Sequence, residues 1–367
     1  MYKNKYLKYK LKQLGCAAPV PNPIQAMFAR ISSSRPGTEI VAFAGGTRPH
    51  TILSSCHHTL LSMFTTKQVL PLRVTCRESV VSVASHVWED KVTRILNVRQ
   101  WRTCFPRARA ANCSLTMIGD ADFVHLEGIH TLSMSFCVRV TDVAFAYLRG
   151  IHTLDITGCR QITDAAFAYL RGIHTLYMNG CDQPTITDAA FVHLAGIHEL
   201  DIAGCNQPTI TDAAFVHLAG IHTLDMSRCK QSTITDAAFV NLAGIHTLNM
   251  IACNQPTITD AAFVYLRGIH KLDMSGCYQP TITDAAFAYL RGIHTLNMTG
   301  CKQPTITDAA FVHLAGIHSL SMNECNQSTI TGATFVHLTG IHALYMYHCS
   351  PAAIAAARAL GLPVNAP

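Results

Sequence analysis

The sequence predicts an α/β solenoid, in which a short strand and a short helix are repeated along most of the chain. The tripeptide Gly-Ile-His occurs ten times between residues 128 and 342, twice at a spacing of 22 residues and thereafter at 24. A constant period in this range is typical of stacked repeats. Within each unit a stretch alternates between apolar and polar residues, as in a strand with one buried face. The stretch that precedes it places Phe and Leu three residues apart, on one side of a helix.

Residues 212–229, DAAFVHLAGIHTLDMSRC, show how one unit is built. We expect Asp212 to cap the start of the helix and Gly220 to end it. In the strand, Leu224 points to the core while Thr223 and Asp225 point to the opposite face. One unit of this size cannot bury enough apolar surface to fold alone, so neighbouring units must stack on one another.

The apolar spacing within the unit is that of a known repeat. Ile151, Leu154, Ile156 and Cys159 follow the pattern L-x-x-L-x-L-x-x-C, which resembles the cysteine-containing leucine-rich repeat. The same spacing from Phe105 to Cys113 adds a degenerate unit, so about 11 units of 22–24 residues fill residues 105–349. The resemblance implies a solenoid with a parallel concave sheet and convex helices. Residues 350–367 are predicted to form a C-terminal cap.

The front of the chain has a different pattern. We predict a basic tail and linker at residues 1–50 and a small helical module at residues 51–104. The stretch LLSMFTTKQVLPLRVTCRE is similar to the second part of an F-box, although RPHTIL replaces the usual Leu-Pro at its start. The similarity implies an adaptor-binding surface at Leu60, Leu61, Phe64, Leu70, Leu72 and Val74. The alternative is an ordinary helical cap that shields the first repeat.

The order of these parts resembles the F-box/leucine-rich-repeat family of ubiquitin-ligase adaptors. The Lys/Tyr-rich opening and the near-identical repeats are similar to members encoded by giant DNA viruses of amoebae. The resemblance implies a non-catalytic substrate-recognition adaptor of an SCF-type E3 ubiquitin ligase, with the SCF adaptor and cullin subunits and a target protein as partners. A stand-alone leucine-rich-repeat scaffold and a host-directed decoy without a ligase connection are the alternatives.

Composition and charge narrow the function classes. The chain is 49% hydrophobic and 14% charged, which is typical of a folded protein. Residues 1–110 contain 17 Lys and Arg against 4 acids, but no base-reading motif accompanies them, so we expect no nucleic-acid partner. No apolar run approaches the roughly 20 residues of a membrane span. The first residues, MYKNKYLKYKLKQLG, scatter lysines where a signal peptide would need an apolar stretch, so we expect no secretion signal here. We therefore predict a cytoplasmic protein, in the host cytoplasm if viral, and leave the nucleus open.

Cysteine and histidine recur once in every unit. One cysteine per turn differs from the clustered spacing of metal sites and indicates a ladder of buried structural thiols. The Gly-Ile-His histidines form a second ladder, for which surface coverage, metal binding and pH-linked softening are the alternatives. A nucleophile and its base must converge from different directions, whereas these residues repeat in parallel. We predict no catalytic, metal-binding or cofactor-binding residues, and no enzyme activity.

The positions one before, one after and three after the central Leu vary between units while the core stays constant. Variation on an exposed concave face is what a binding surface produces, and the alternative is drift where packing imposes no constraint. Large side chains anchor interfaces more strongly than Thr or Ser. The predicted target-binding residues are Tyr177, Asp201, Asp225, Ile251, Asp273, Tyr345 and Tyr347.

Overall fold

The structure of the protein is a computed structural model that describes residues 95–366. The basic tail and the predicted adaptor-binding residues Leu60, Leu61, Phe64, Leu70, Leu72 and Val74 lie outside the described residues. Residues 95–103 and 108–366 belong to one compact unit, which contains the repeats.

The repeats build one sheet of twelve parallel strands, whose spatial order is the order along the chain. The strands are β1 (Ala110–Asn112), β2 (Thr131–Ser133), β3 (Thr153–Asp155), β4 (Thr175–Tyr177), β5 (Glu199–Asp201), β6 (Thr223–Asp225), β7 (Thr247–Asn249), β8 (Lys271–Asp273), β9 (Thr295–Asn297), β10 (Ser319–Ser321), β11 (Ala343–Tyr345) and β12 (Val364–Asn365). The parallel solenoid predicted from the repeat is confirmed.

The register of the sheet places equivalent residues of neighbouring units side by side. Leu200 pairs with Leu224, and Leu224 pairs with Leu248. All three leucines are fully buried, whereas the residues on either side of them are partly exposed. Each strand therefore contributes one side to the core and one to solvent, and every core position becomes a column that runs through the stack.

The opposite side of the solenoid consists of short helical segments, most of them about one turn long, and longer helices lie outside the regular repeats. The α-helices are α1 (Val98–Cys104), α2 (Asp164–Phe167), α3 (Asp188–Phe191), α4 (Asp212–Phe215), α5 (Asp236–Phe239), α6 (Asp260–Phe263), α7 (Asp284–Phe287) and α8 (Pro351–Ala359). The 3₁₀ segments are Asp120–Leu126, Asp142–Leu148, Val192–Leu194, Val216–Leu218, Val240–Leu242, Val264–Leu266, Ala288–Leu290, Asp308–His313 and Phe335–Leu338. Ala219 leaves the helical conformation with ψ 128°, and Gly220 follows with φ +82°, which ends the turn.

The predicted N-cap role of Asp212 is wrong, because Thr211 takes that place. The Thr211 hydroxyl accepts a hydrogen bond from the Ala213 N–H at 3.1 Å. Asp212 is the first helical residue, and its carboxylate accepts from the backbone N–H and the hydroxyl of Thr235, both at 2.7 Å. The carboxylate faces the next unit rather than its own helix, since the threonine already satisfies the free amide.

Phenylalanine and cysteine fill two columns of the core. The helical-turn phenylalanines from Phe123 to Phe335 are fully buried. The thiols from Cys113 to Cys349 are buried and free, as predicted. From Cys137 onward each thiol donates to a carbonyl of the preceding unit, as where the Cys229 Sγ donates to the Ile202 carbonyl at 3.2 Å. Burial raises the pKa of the Cys159 thiol to about 12, so this thiol stays protonated near neutral pH.

Both ends of the described sheet are covered. At the first strand, the Ile95 N–H donates to the Asn112 carbonyl at 2.8 Å. The predicted C-terminal cap contains α8, in which the Ala353 N–H donates to the Ser350 hydroxyl at 3.2 Å. It also contains β12, which extends the sheet one strand beyond the predicted repeats. Two residues are too short to show the alternation from which the other strands were predicted. Between residues 95 and 366 every helix falls short of the length and hydrophobicity of a membrane span.

Candidate protein-binding face

The exposed side of the sheet is made of the residues that flank each buried leucine, and we call it the sheet face. In β5, Glu199 and Asp201 are partly exposed on either side of the buried Leu200. The same pattern holds for β6 and β7. The predicted alternation between core and surface is therefore confirmed, and the predicted contact residues lie on one continuous surface.

The structure divides the predicted residues into a central group and a C-terminal group. Tyr177, Asp201 and Asp225 are direct register partners on β4, β5 and β6. Asp273 follows two strands later, with Asn249 between it and Asp225. Tyr345 ends β11, three strands beyond Asp273. Ile251 and Tyr347 lie two residues past the ends of β7 and β11.

Asp201 is the carboxylate of the central group that accepts the fewest hydrogen bonds. Its Oδ1 accepts from the Ala203 N–H at 2.8 Å, and no side chain among the described residues donates to it. Burial, together with the nearby carboxylates Asp225, Asp155 and Glu199, raises its pKa to about 6 against the lowering effect of the Ala203 amide. A cation placed beside Asp201 would stabilise the ionised carboxylate, which burial and the neighbouring carboxylates disfavour.

Tyr177 is held by the next strand. Its hydroxyl donates to the Glu199 Oε1 at 3.0 Å. Burial, followed by this hydrogen bond and the charge of Glu199, raises the pKa of Tyr177 to about 12. The bond holds the phenol in place and leaves Glu199 as a second acceptor beside Asp201.

Asp225 and Asp273 each form an acid–amide pair with the following strand. Asn249 Nδ2 donates to the Asp225 Oδ2 at 2.7 Å, and Asn297 Nδ2 donates to the Asp273 Oδ2 at 2.9 Å. These two acids therefore contribute to the stacking of the units as well as to the surface.

At the N-terminal end of the sheet face, Asp155 is more fully bonded still. The hydroxyls of Ser133 and Ser135 donate to its Oδ2 at 2.8 and 2.5 Å. Burial would raise the pKa of Asp155, but these hydroxyls and the amide and hydroxyl of Thr157 outweigh it and hold the pKa below its usual value. Asp155 is therefore ionised and satisfied within the protein.

The C-terminal group is aromatic. Tyr345 is half-buried, and Tyr347 is 42% exposed. The Tyr347 N–H donates to the Asn323 Oδ1 at 2.8 Å, which ties its backbone to the preceding unit. Two neighbouring phenols on a fixed backbone make a rigid, amphipathic contact surface.

Sequence reasoning missed a second row of variable residues, which follows each cysteine. Tyr278 is 60% exposed there, and its N–H donates to the Asn254 Oδ1 at 2.9 Å. The Lys230 N–H donates to the Asn206 Oδ1 at 2.8 Å in the same way. The signal was present, because this position varies between units as strongly as the strand positions do. The predicted contact positions end at the residue three after the leucine.

The cysteines and the histidines that recur once in every unit each form a row, and neither row brings its side chains together at one point. The thiols are separated by one unit each and hydrogen-bonded to carbonyls, as Cys253 is to Met226. Within residues 95–366, no group of three or more His, Cys, Asp or Glu side chains is placed to hold a metal ion.

Solved structures with similar folds identify the architecture. The crystal structure of a TLR13–ssRNA13 complex superimposes with a TM-score of 0.50 at 11% identity, over 74% of this chain and 52% of that chain. The chain has the leucine-rich-repeat fold. It spans about half the length of TLR13, and at this identity the similarity shows the fold alone.

A second leucine-rich-repeat structure is more distant. The yeast Rad7–Elc1 complex matches with a TM-score of 0.41 at 17% identity, over 66% of this chain and 76% of that chain. No protein-family model matches the chain, and no curated protein matches it.

Proposed function

We propose that the chain is a protein-interaction scaffold that binds a target protein on the sheet face. The observation that carries this is the contrast between the two sides of each strand. The central residue of every strand from β2 to β11 is a buried leucine. The residue before it, which is at least partly exposed in every strand from β2 to β11 except β4, is Thr in most units, yet Glu199 and Lys271 replace it in β5 and β8. Repeats that copy their core and change their exposed residues distinguish one region of the surface from another.

The chemistry of the sheet face indicates what it binds. In the central group, Asp201 and the neighbouring Glu199 of the same strand are two carboxylates that suit a lysine or arginine of the target. The C-terminal group supplies Tyr345 and Tyr347, which suit apolar or aromatic groups. Variation along the row therefore supports a target that spans several units rather than a small molecule in a closed pocket.

Target capture by the tyrosine pair tests this function. Proteins that copurify with the wild-type chain from cells are identified, and their capture is then measured with Tyr345→Ala plus Tyr347→Ala. We expect capture to fall by roughly tenfold or more, because buried aromatic anchors carry much of the energy of an interface. The thermal midpoint should stay unchanged.

The control for the tyrosine pair is Val216→Ala plus Val336→Ala, on the helical side, where both valines are about half exposed. This variant should capture the target as the wild type does. Equal loss in both variants, or no loss in the tyrosine variant, contradicts the assignment of the face.

We further propose that the scaffold is the substrate-recognition adaptor of an SCF-type ubiquitin ligase. The support is the F-box-like sequence at Leu60, Leu61, Phe64, Leu70, Leu72 and Val74 and its position before the repeats. In this scheme ubiquitin transfer takes place on partner subunits, and the chain contributes proximity between target and ligase.

The ligase connection is tested by recovery of the adaptor and cullin subunits from cells. We expect the wild type to recover both and Leu61→Asp plus Phe64→Asp to recover neither, since charges disrupt an apolar contact. The same variant should still capture the target. If the wild type recovers neither subunit while target capture persists, the chain acts as a stand-alone scaffold or as a decoy.

A further inference from the structure

Ten imidazoles form a continuous stack along one margin of the sheet. We call it the histidine row, and it consists of His130, His152, His174, His198, His222, His246, His270, His294, His318 and His342. Neighbouring ring centroids are 4.5–4.7 Å apart, and the ring planes differ by 10–19°. Every ring between the two ends therefore has an imidazole on both sides.

The backbone holds the rings in this arrangement. Each histidine N–H donates to the carbonyl of the preceding histidine of the row at 2.9–3.1 Å, from His152 to His342. In several units Nδ1 also lies 3.1 Å from the hydroxyl of the next threonine, as in His222 and His246. From His174 onward the histidines are exposed, so solvent protons reach them.

Few other charges act on the middle of the row. The charged residues around it are Glu199 and Lys271 on the strands, Glu127, Arg149, Arg171, Arg267 and Arg291 three residues before a histidine, and Asp155, Asp201, Asp225 and Asp273 three residues after one. His222 and His246 have Ala219 and Ala243 in the preceding turn and threonines on the strand. The charges that act on the His246 ring are those of its stacked neighbours, His222 and His270.

The protonation of one stacked imidazole changes the proton affinity of its neighbours. Two imidazolium charges at this separation repel each other, so one protonated ring disfavours protonation of both neighbours. Partial desolvation lowers the pKa of His246, and the charges of His222 and His270 lower it further. The pKa of His318 is lowered in the same way, by partial desolvation and then by His294 and His342.

We propose that the histidine row is a proton-sensing array that is neutral and stacked at neutral pH, and that takes up protons on alternate rings in mildly acidic solution. Protonation places like charges along the margin of the sheet and weakens the contact between units. This inference is independent of the proposed function, because it concerns the scaffold and not the target.

The direction of the stability change follows from the lowered pKa values. A histidine whose pKa is lower in the folded state than in the unfolded state binds fewer protons when folded. Its contribution to stability is complete above the unfolded pKa of about 6.5 and is lost as the pH falls through the folded pKa. Asp201, with its raised pKa, changes stability in the opposite direction, so the test needs a signal from individual rings.

The test is an NMR titration of the full chain labelled at histidine, with the His246 and His318 signals assigned from His246→Gln and His318→Gln. In His222→Gln plus His270→Gln, we expect the pKa of His246 to rise towards its ordinary value and that of His318 to stay where it is. The reciprocal variant, His294→Gln plus His342→Gln, should raise the pKa of His318 alone. Unchanged pKa values in both variants overturn the proposal.

Thermal unfolding supplies the second measurement. The wild-type midpoint should fall between pH 7.5 and pH 5.5, and the fall should be smaller when His198, His246 and His294 are all replaced by Gln. His217→Gln plus His337→Gln, on the helical side, is the control and should keep the wild-type fall. If the midpoint of the triple variant falls as far between pH 7.5 and pH 5.5 as that of the wild type, the histidine row does not sense pH.

Discussion

Asp155, Asp201 and Asp225 occupy the same position in three units, yet their surroundings give them different roles. Serine hydroxyls satisfy Asp155, and an asparagine amide satisfies Asp225. Asp201 accepts a hydrogen bond from a backbone amide, and the charged groups around it are carboxylates. At the scale of the residue, the carboxylate on β5 therefore has the fewest hydrogen-bond donors, and a cationic group of a partner would be bound most favourably there.

Asp201→Asn should stabilise the protein near neutral pH. The raised pKa means that the folded state binds a proton more tightly than the unfolded state, so ionisation between the unfolded value of 3.8 and about 6 costs stability. Asparagine keeps an acceptor for the Ala203 amide and removes the charge. After allowance for solvent screening, the gain should be on the order of 1 kcal/mol at pH 7.5.

Urea unfolding at pH 7.5 and at pH 4 measures this gain, which should shrink towards zero at the lower pH. Asp182→Asn, at an exposed position, is the control and should change little at either pH. A gain for Asp201→Asn that is equal at both pH values would show that charge is not the cause.

At the scale of the element, the helical turns are too short to be stable by themselves and are tied to each other instead. Isolated helices of one turn do not form in water. Here the aspartate that opens one turn accepts two hydrogen bonds from the threonine that caps the next. The same pair links Asp188 to Thr211 and Asp236 to Thr259. The connection between units is therefore both polar, on the helical side, and apolar, in the core.

Asp212→Ala should destabilise the protein by roughly 2–4 kcal/mol, because it removes the charged acceptor of two hydrogen bonds and leaves a backbone amide of the next unit unpaired. Asp212→Asn keeps an acceptor for the Thr235 amide and should lose less. Denaturant unfolding compares both with Asp182→Ala, which should change stability by no more than about 0.5 kcal/mol. A loss for Asp212→Ala no larger than that of this control would contradict the connecting role.

At the scale of the whole molecule, the repeats form a rigid platform with two distinct sides. The register places every core residue in a column, so the positions of exposed residues are fixed by the strand that carries them. A partner that spans several strands meets side chains at a constant spacing. Function on such a platform depends on which residues interrupt the repeated pattern.

Much of this architecture could be predicted from the sequence, because repetition shows both the period and the buried positions. Even the degenerate first strand, β1, follows from the spacing of Phe105 to Cys113. The N-cap could not be assigned with the same success, since Thr211 and Asp212 are both favourable caps and the choice between them depends on the contact of Asp212 with the next unit.

The positions of the proposed contact residues on the sheet could be predicted, but their environments could not be. Which carboxylate lacks a side-chain donor depends on whether the following strand presents an amide, as for Asp225, or another acid, as for Asp201. That comparison runs across strands 24 residues apart in sequence. Tyr278 lies outside the predicted contact positions, because the pattern assigns the residue after the cysteine to the turn.

Site-specific photo-crosslinking tests the central claim most directly. A photo-reactive residue replaces Ile251 or Tyr345 on the sheet face, and Val216 or Val240 on the helical side, in full-length protein expressed in cells. We predict a covalent adduct with the same captured protein from both sheet-face positions and from neither helical position. Adducts from the valine positions alone would contradict the sheet face as the surface that binds the target.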